Sequence, residues 1–286
     1  MSRGPQLGKV AYDPDPFWNA RLDKDFSLSG VGHASVGLAF NRWAYKVRRR
    51  VLLRTLAACG ITIRGARILE LAFGTGYYLD LWSELGAAHV FGMDIAHVAV
   101  HAARERYAAH PWCFEQGDIG KPLSAEVPAA SFDVATAFDV LFHLVDDAQW
   151  NGALDNLTTA LKPGGHAVIF DKFQKRESAG SHVRRRTLAQ YREALERRGL
   201  EIQALQPIFF MMNSPTDFED LAGTMWRLGW SLAKLPYKLG KPVGLGEVFG
   251  ACAGATLYVP ELCMGRLIPS GPSTKVLIAK KRGVCS

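Results

Sequence analysis

The stretch Arg67-Ile-Leu-Glu-Leu-Ala-Phe-Gly-Thr-Gly-Tyr77 decides the fold. An apolar run that contains one acidic residue leads directly into two glycines, after which the pattern becomes helical. Gly74 and Gly76 let the backbone turn sharply and approach a ligand closely, because they carry no Cβ. The helix that follows directs its unpaired N–H groups at the same place. Strand, loop and helix together predict a binding site for a nucleotide-type cofactor.

A second predicted strand supplies a carboxylate to this site. Residues 89–94 read His-Val-Phe-Gly-Met-Asp, and Asp94 stands eighteen residues after Gly76. An acidic residue at this place accepts hydrogen bonds from ribose hydroxyls in dinucleotide-binding folds. The dinucleotide fingerprint itself requires Gly or Ala three residues after the second glycine, where this chain has Leu79. The spacing therefore disfavours NAD as the cofactor.

Strand-like and helix-like patterns alternate after residue 66, which predicts a sheet covered by helices on both faces. The predicted strands lie near residues 67–72, 89–94, 112–117, 132–138, 165–171, 201–212 and 274–280. The predicted helices lie near residues 76–86, 97–108, 146–161 and 184–199. We therefore expect an α/β fold with a doubly wound seven-stranded sheet.

Four motifs that follow one another along the chain carry a family resemblance. The run Glu70-Leu-Ala-Phe-Gly-Thr-Gly76 is followed by Met93-Asp94-Ile95, Gly117-Asp118-Ile119 and Leu161-Lys-Pro-Gly-Gly165. This ordered set, within residues 60–175, resembles the motifs of class I S-adenosylmethionine-dependent methyltransferases. The resemblance implies the Rossmann-like methyltransferase fold, whose sheet is mostly parallel with an antiparallel last strand.

The resemblance also implies S-adenosylmethionine as the cofactor. Glu70 would hold the amino group of its methionine moiety, directly or through water. The backbone beneath that moiety would be formed by Ala72, Phe73, Gly74 and Gly76. Ala72 departs from the family pattern, because a glycine most often stands there. A methyl group intrudes little at a negative φ, so we expect cofactor binding to survive this departure.

The nucleoside half of the cofactor would contact the ends of three strands, again as the resemblance implies. Asp94 would bind the ribose hydroxyls, and Ile95 would pack on the adenine face. Asp118 would accept a hydrogen bond from the adenine amino group, with the backbone N–H of Ile119 nearby. Phe138 would line the pocket close to the sulfonium.

A helix before the sheet adds two candidates for cofactor binding. The segment Asn41-Arg-Trp-Ala-Tyr-Lys-Val-Arg-Arg-Arg50 has a helical pattern, and Tyr45 and Arg49 lie four apart on one face. Arginine binds carboxylates with two hydrogen bonds, so the pair could hold the methionine carboxylate. An exposed surface pair is the alternative, and the sequence leaves both open.

His143 is the candidate for proton transfer. It lies just beyond the fourth strand, over the expected acceptor pocket, and an unperturbed histidine accepts a proton near neutral pH. If the acceptor is a hydroxyl, His143 would act as its base; otherwise it lines the site. Further candidates for acceptor contact are His33, Trp226 and Trp230. We expect no metal, because Asp146 and Asp147 suit a helix N-terminus.

The chain divides into four predicted segments. Residues 1–65 form an N-terminal helical lid or extension, and residues 66–212 form the S-adenosylmethionine-binding core. Residues 213–273 are rich in glycine, proline and aromatic residues, and this composition predicts an irregular lid or substrate insertion. Residues 274–286 supply the last core strand and a tail.

Composition limits where in the cell the protein is expected and which partners it is expected to bind. Five cysteines without paired spacing, and no apolar signal core, predict a cytoplasmic protein with reduced thiols. The most apolar stretch, residues 243–260, is broken by Glu247 and glycines, so we expect no transmembrane segment. The net charge of +7 is mostly dispersed, which disfavours nucleic-acid binding. The expected partner is a small-molecule acceptor, and a homodimer stays open.

The leading hypothesis is O-methylation of a natural product or another partly hydrophobic small molecule. RNA methylation is an alternative because the pI is 9.2. Against it, Phe138-Asp-Val-Leu141 stands where an Asn-Pro-Pro-Tyr-type signature would follow the fourth strand. A third hypothesis is a cyclase-like enzyme that binds S-adenosylmethionine without transferring its methyl group, because the fold alone does not fix the reaction.

Overall fold

A computed structural model describes residues 12–216 and 221–283. The helices are α1 (Pro14–Lys24), α2 (Leu28–Val31), α3 (Gly37–Ala58), α4 (Tyr77–Glu84), α5 (His97–Arg106), α6 (Asp147–Ala160), α7 (Leu188–Glu196), α8 (Leu221–Gly240) and α9 (Gly246–Leu267). The strands are β1 (Arg67–Leu71), β2 (His89–Asp94), β3 (Cys113–Gln116), β4 (Phe132–Phe138), β5 (Leu161–Asp171), β6 (Ser178–Ala179), β7 (Arg184–Arg185), β8 (Leu200–Pro207) and β9 (Lys275–Lys281).

Seven strands form one sheet in the order β3-β2-β1-β4-β5-β9-β8. The strands from β3 to β5 pair in parallel, and β9 runs antiparallel to both of its neighbours, β5 and β8. The predicted fold class is therefore confirmed. The strand order reverses between β1 and β4, and ligands of open α/β sheets bind beyond the carboxyl ends of the strands at such a point.

Two apolar layers cover the two faces of the sheet. Successive residues of a strand point to opposite faces, so Ile68 of β1 joins one layer and Leu69 the other. The first layer contains side chains of α3 and α4, such as Leu52 and Trp82. The second contains side chains of α6 and α7, such as Leu154. Helices on both faces make the sheet doubly wound, as the alternation of patterns predicted.

The fourth predicted core helix starts later than expected. The prediction began it at residue 184, but Arg184 and Arg185 form β7, which pairs with β6. The helix starts after Thr187, whose side chain accepts from the backbone N–H of Gln190 while the Gln190 side chain binds the Thr187 N–H. This reciprocal capping box stabilises a helix start at that residue. By contrast, Asp146 caps α6 as predicted.

The sixth predicted strand is shorter than expected. It was predicted to run to Met212, but β8 ends at Pro207. Beyond it, the carboxylate of Glu261 on α9 accepts hydrogen bonds from the backbone N–H groups of Phe210, Met211 and Met212. A buried carboxylate thus satisfies the donors that a continued sheet would have used.

The insertion after β8 contains two long helices, α8 and α9, so the prediction of an irregular segment is wrong. The glycines that suggested irregularity include Gly246, Gly250 and Gly254, spaced four apart and buried on one side of α9. A Cβ on Gly254 would stand 2.7 Å from the Trp43 side chain of α3. Gly250 and Gly254 allow α9 to approach α3 closely, and that packing offsets their poor helix propensity.

One helix of the described residues, α9, is long and apolar enough to cross a membrane by length and composition alone. Its 22 residues include a window with a mean hydropathy of 1.3. The same helix packs on α3 and α8, and its Glu261 is buried against residues 210–212. Through these contacts α9 packs against the rest of the protein.

Candidate active site

A cavity of about 940 Å³, counting the part open to solvent, lies beyond the carboxyl ends of β1, β2 and β4. It therefore occupies the switch point of the sheet, where this class of fold binds its ligands. Of the residues predicted to bind the cofactor, those that line it are Tyr45, Ala72, Phe73, Gly74, Asp94, Ile95, Asp118, Ile119 and Phe138. His143 lines it as well.

The loop after β1 has the sharp turns that its glycines predicted. Gly74 and Gly76 have φ values of +54° and +79°. Ala72 has a φ of +59°, so the negative φ assumed for this residue is wrong. Its backbone N–H donates to the Met93 carbonyl at 2.6 Å, which holds the strained conformation in place. Ala72 is one of the residues that line the cavity.

The side chain of Asp94 holds this loop by hydrogen bonds to its backbone. One carboxylate oxygen accepts from the backbone N–H of Gly74 at 2.7 Å, and the other accepts from that of Ala96 at 2.9 Å. The carboxylate is buried at the cavity wall, and burial raises the pKa of Asp94 above its usual value. Each oxygen has a second lone pair with which it can accept from a ligand hydroxyl.

The polar groups of the cavity fit the cofactor that the motifs imply. The hydroxyl of Tyr78 is buried, lines the cavity and has no hydrogen-bond partner among the described residues. Asp118 also lines the cavity, and one of its oxygens shapes its own loop by accepting from the Gly120 N–H at 2.8 Å. Aromatic rings, among them Phe138, supply apolar walls. Carboxylates for hydroxyl and amino groups, together with apolar faces, suit a nucleoside.

Glu70 lies beneath this cavity, and its side chain is not part of the lining. It is 1% exposed, and its carboxylate accepts a hydrogen bond from the indole N–H of Trp82. Burial raises the pKa of Glu70 to about 8. Gly76 also lies outside the lining. The predicted contact between Glu70 and the methionine amino group stays a prediction.

The two candidates on α3 are placed differently. Tyr45 is buried at the cavity, with its ring 4.7 Å from that of Tyr77. Arg49 forms an ion pair with Glu84 at 2.6 Å on the surface. Its neighbour Arg48 points inward instead and forms an ion pair with Asp139, immediately after β4.

Sequence reasoning missed Arg48 as a site residue. The triplet of residues 48–50 and the strand-end Asp139 were visible signals, but neither says which arginine faces inward. Asp139 has a φ of +55°, a value uncommon outside glycine, and such strained residues cluster at functional sites. The ion pair with Arg48 stands at the wall that the first cavity shares with a second one.

The second cavity has a volume of about 1070 Å³, counting its open part. The residues that line both cavities are Trp18, Val31, Tyr45, Asp139 and His143. His33 lines only the second cavity, where its Nε2 lies 2.6 Å from the Asn213 side-chain oxygen. The predicted acceptor residues Trp226 and Trp230 line neither cavity. Trp230 packs behind His33 at 5.0 Å, and Trp226 packs on Phe210 at 5.4 Å.

His143 stands between the two cavities. Its Nδ1 lies 3.1 Å from the His182 carbonyl oxygen, so Nδ1 carries the proton and Nε2 keeps its lone pair. The ring meets the edge of the Trp18 ring at 5.0 Å. Burial lowers the pKa of His143 to about 4. His143 is therefore neutral at physiological pH, with Nε2 unprotonated.

Metal binding has no support from side-chain geometry in the part of the chain that the structure describes. No group of three or more His, Cys, Asp or Glu residues there could hold a metal ion. Asp147, next to the cap of α6, pairs instead with Arg184 at 2.9 Å and Arg186 at 3.0 Å.

Comparison with known proteins agrees with this geometry. Residues 68–165 match the family described as a methyltransferase domain. A probable S-adenosylmethionine-dependent methyltransferase of Mycolicibacterium smegmatis is 29% identical over 182 residues, 60% of this chain and 65% of that protein. A ubiquinone biosynthesis O-methyltransferase of Neisseria meningitidis serogroup C is 31% identical over 42% of this chain and 50% of that protein. The chain thus matches between half and two thirds of the length of these relatives.

Solved structures support the fold. A phosphoethanolamine N-methyltransferase 2 of Haemonchus contortus superposes with a TM-score of 0.56 at 15% identity, over 93% of this chain and 60% of that one. A sarcosine dimethylglycine methyltransferase of Galdieria sulphuraria gives a TM-score of 0.53 at 18% identity, over 81% of this chain and 83% of that one. Family and fold together imply S-adenosylmethionine as the cofactor, which confirms the prediction made from the motifs.

Proposed function

We propose that this chain, a member of the class I S-adenosylmethionine-dependent methyltransferases, methylates an oxygen of a small, partly hydrophobic molecule. The observation that carries the proposal is the meeting of two cavities at Asp139 and His143. The first has the carboxylates and apolar walls that suit a nucleoside. The second offers space for an acceptor directly beside it.

The cofactor would supply an electrophilic methyl group on a sulfonium when bound. Asp94 and Asp118 would hold its nucleoside half by accepting from hydroxyl and amino groups, and Ile95 and Phe138 would pack on its apolar surfaces. The backbone of residues 72–74 would pass beneath the methionine half. Holding donor and acceptor in contact at the right angle is the largest contribution a protein can make to such a displacement.

The wall between the cavities has the groups that this reaction needs. His143 would accept the proton of an acceptor hydroxyl at Nε2, since its Nδ1 is fixed by the His182 carbonyl. The rings of Trp18 and Phe142 flank His143 and exclude water from that side. Two relatives support oxygen as the acceptor atom, because the Neisseria protein and a malonyl-[acyl-carrier protein] enzyme of Serratia marcescens are O-methyltransferases by name.

The acceptor is proposed to be small and partly apolar because the second cavity combines aromatic with charged walls. Phe17, Phe40, Phe142 and Phe209 line it together with several basic residues. We place this activity in natural-product or similar tailoring metabolism in the cytoplasm. The helices before the sheet, α1 and α3, line the second cavity and would cover the acceptor.

Calorimetry with S-adenosylhomocysteine tests the first half of the proposal. We expect binding that weakens when Gly74→Val fills the cavity floor, while Gly283→Val near the C-terminus leaves binding unchanged. Absence of any affinity in the wild-type protein would refute the assignment.

Mass spectrometry with a panel of phenols, hydroxy acids and sugars tests the second half. A gain of one methyl group on oxygen supports the proposal. Turnover without that gain, while the cofactor stays intact, would point to the cyclase-like alternative. Methylation of RNA together with salt-sensitive RNA binding would establish the other alternative.

A further inference from the structure

The second cavity holds an excess of positive charge. Among the described residues that line it, Arg21, Arg48, Lys172 and Arg185 are basic, and Asp139 is the one carboxylate. Its histidines are not a source of negative charge, and burial lowers the pKa of both His33 and His143 to about 4. Four basic side chains against one carboxylate at a partly enclosed cavity is an arrangement that an anionic ligand would compensate.

The hydrogen bonds of these cations show which of them remain available. Arg48 is paired with Asp139 through one terminal nitrogen, although its Nε is also buried without a hydrogen-bond partner among the described residues. Arg21 donates to the Gly30 and Gly32 carbonyls at 2.5 Å and 3.3 Å, so it is held by the backbone. Among the described residues, the Lys172 side chain has one hydrogen-bond partner, the Thr274 hydroxyl at 2.9 Å, and when protonated it keeps two further donors. The Nε of Arg185 is buried without a hydrogen-bond partner, and the residue forms no ion pair among the described residues.

Arg185 and Lys172 come from different elements and meet at this cavity. Arg185 belongs to β7, and Lys172 directly follows β5. Lys172 is buried, and its pKa is lowered to about 7 by burial and by the charges of Arg48 and Arg185. The mutual repulsion of these cations is electrostatic energy that an anion would relieve, and it is largest where water is excluded.

We propose that Arg185 and Lys172 bind an oxyanion of the acceptor, either a carboxylate or a phosphate, in the second cavity. This inference rests on the proposed function and adds the charge class of the substrate. The anionic end would lie between these two side chains, and the methyl-accepting group would lie towards His143 and the first cavity. Guanidinium and ammonium groups are the donors that carboxylates and phosphates prefer.

Two small anions without an acceptor hydroxyl provide the probes. Methyl phosphate represents a phosphate monoester and benzoate represents a carboxylate. Binding is followed by calorimetry and by the fluorescence of Trp18, which lines the cavity. No cofactor is present, so failure of anion binding is distinct from failure to bind S-adenosylhomocysteine. Comparison of the two affinities shows whether phosphate or carboxylate is the natural group.

The variants are Arg185→Gln and Lys172→Met, with Arg197→Gln as the control. Arg197 is exposed on the far end of α7, where it pairs with Glu193. Loss of one charge-assisted hydrogen-bonding group weakens anion binding about ten- to a hundredfold. We expect that loss for both variants, partial recovery in Arg185→Lys, and no change for Arg197→Gln. Circular dichroism confirms that each variant is folded.

Two results would overturn the proposal. One is the absence of saturable binding of either anion to the wild-type protein at low ionic strength. The other is binding that persists unchanged in folded Arg185→Gln and Lys172→Met, which would place the anion at another part of the surface.

A separate observation concerns the outer face of the hairpin formed by α8 and α9. Five apolar side chains of α8 are 44% to 65% exposed: Met225, Leu228, Leu232, Leu235 and Leu239. Their spacing of three and four residues places them in one stripe along the helix. An apolar groove lined by Leu232, Pro236 and Phe249 continues the stripe onto α9. Exposed apolar surface of this extent marks an interaction site.

The charged residues beside the apolar stripe of α8 indicate what kind of partner it binds. Arg227, Lys234 and Lys238 each precede a stripe residue by one position and so flank one side of the stripe, and the Lys234 ammonium lies over the Trp230 ring at 5.1 Å. Residues 221–268 contain two acidic residues, and backbone N–H groups bind both carboxylates: Glu247 accepts from Leu38 and Ala39, and Glu261 from residues 210–212. The outer face is therefore apolar and cationic.

We infer that this face lies on the surface of an anionic lipid bilayer. An apolar stripe bordered by Lys and Arg is the pattern of helices that rest in the membrane interface. A second copy of the same face would oppose like charges. A spanning role would remove the inner side of α9 from α3, against which its glycines are packed. Peripheral binding uses the exposed stripe and leaves the fold intact.

Flotation with vesicles tests this inference. We expect the wild-type protein to float with vesicles of equal parts phosphatidylcholine and phosphatidylglycerol, and much less with pure phosphatidylcholine. The double variant Leu228→Gln/Leu235→Gln should lose flotation, while Phe26→Gln, which removes an exposed ring elsewhere, should keep it. Absence of wild-type flotation would refute the inference. A dimer that the double variant dissociates would assign the face to a second copy instead.

Discussion

Arg48 of α3 and Asp139 after β4 form an ion pair where the two cavities meet. Their side chains are 11% and 21% exposed, so the pair is largely shielded from water. Arg48 also lies over the rings of Tyr45 and Phe209, at 5.2 Å and 5.1 Å. The pair therefore joins the helix before the sheet to the sheet itself and fixes the wall between the two cavities.

Breaking this pair should destabilise the protein. Asp139→Asn leaves a shielded guanidinium without its counter-charge, which should lower the free energy of unfolding by about 2–3 kcal/mol. Arg49→Met provides a matched control, because its ion pair with Glu84 is on the surface and contributes at most about 1 kcal/mol. Urea unfolding measures both. Equal effects in the two variants would contradict the structural role of Arg48.

Replacing Ala72 with glycine should stabilise the protein. A left-handed backbone at an L-residue costs about 1–2 kcal/mol, and glycine avoids most of that cost. We expect Ala72→Gly to raise the free energy of unfolding by about 1 kcal/mol. Ala102→Gly, inside α5, should lower it by a similar amount, because glycine is a poor helix former. Thermal unfolding of both variants shows whether stability rises or falls. A loss of stability in Ala72→Gly would count against the left-handed backbone at Ala72.

Glu70 should make stability depend on pH. In the folded protein, its proton is held up to about pH 8, whereas the unfolded chain releases it near 4.5. Between these values the folded state binds more protons, so stability falls as pH rises, by up to about 1.4 kcal/mol for each pH unit. The contribution is fully present below 4.5 and is lost through pH 8. Glu70→Gln should therefore reduce the fall of the free energy of unfolding between pH 4.5 and 8. Urea unfolding measures it, and an equal pH dependence in the wild type and the variant would contradict the raised pKa of Glu70.

Asp94 should control cofactor affinity. Asp94→Asn keeps the shape but loses the charge and one acceptor, and should weaken S-adenosylhomocysteine binding about ten- to a hundredfold. Asp155→Asn is the control, because that carboxylate pairs with Arg198 on the surface. Calorimetry on both variants, after unfolding curves confirm a native fold, gives the comparison. Unchanged affinity in Asp94→Asn would remove the carboxylate from the binding site.

His143 should act as a neutral imidazole. With a pKa lowered to about 4, it is neutral above that pH, so wild-type turnover should show no fall near 6.5. His143→Gln should lower kcat about a hundredfold or more once an acceptor is known, with a smaller effect on KM. His101→Gln, on the exposed side of α5, serves as control. Near-normal kcat across the pH range would remove His143 from the mechanism.

The sequence by itself determined the sheet, the glycine turns after β1 and the resemblance to a methyltransferase family. Those inferences depend on local patterns: two-residue alternation, closely spaced glycines, and carboxylates at strand ends. Such patterns act over a few neighbouring residues, and the structure reproduces β2 and β4 at the predicted bounds. Asp94 and Asp118 reach the same cavity because parallel strands end at one edge of a sheet.

Only the tertiary structure decided which side chains face the site. Arg48 turns inward and Arg49 outward, and each pairs with a carboxylate far along the chain, Asp139 and Glu84 respectively. The glycines of α9 form a helix because α3 packs against them. Arg185 and Lys172 share a cavity because folding brings β7 beside the end of β5. Each outcome depends on contacts between distant residues, and those contacts exist only in the folded chain.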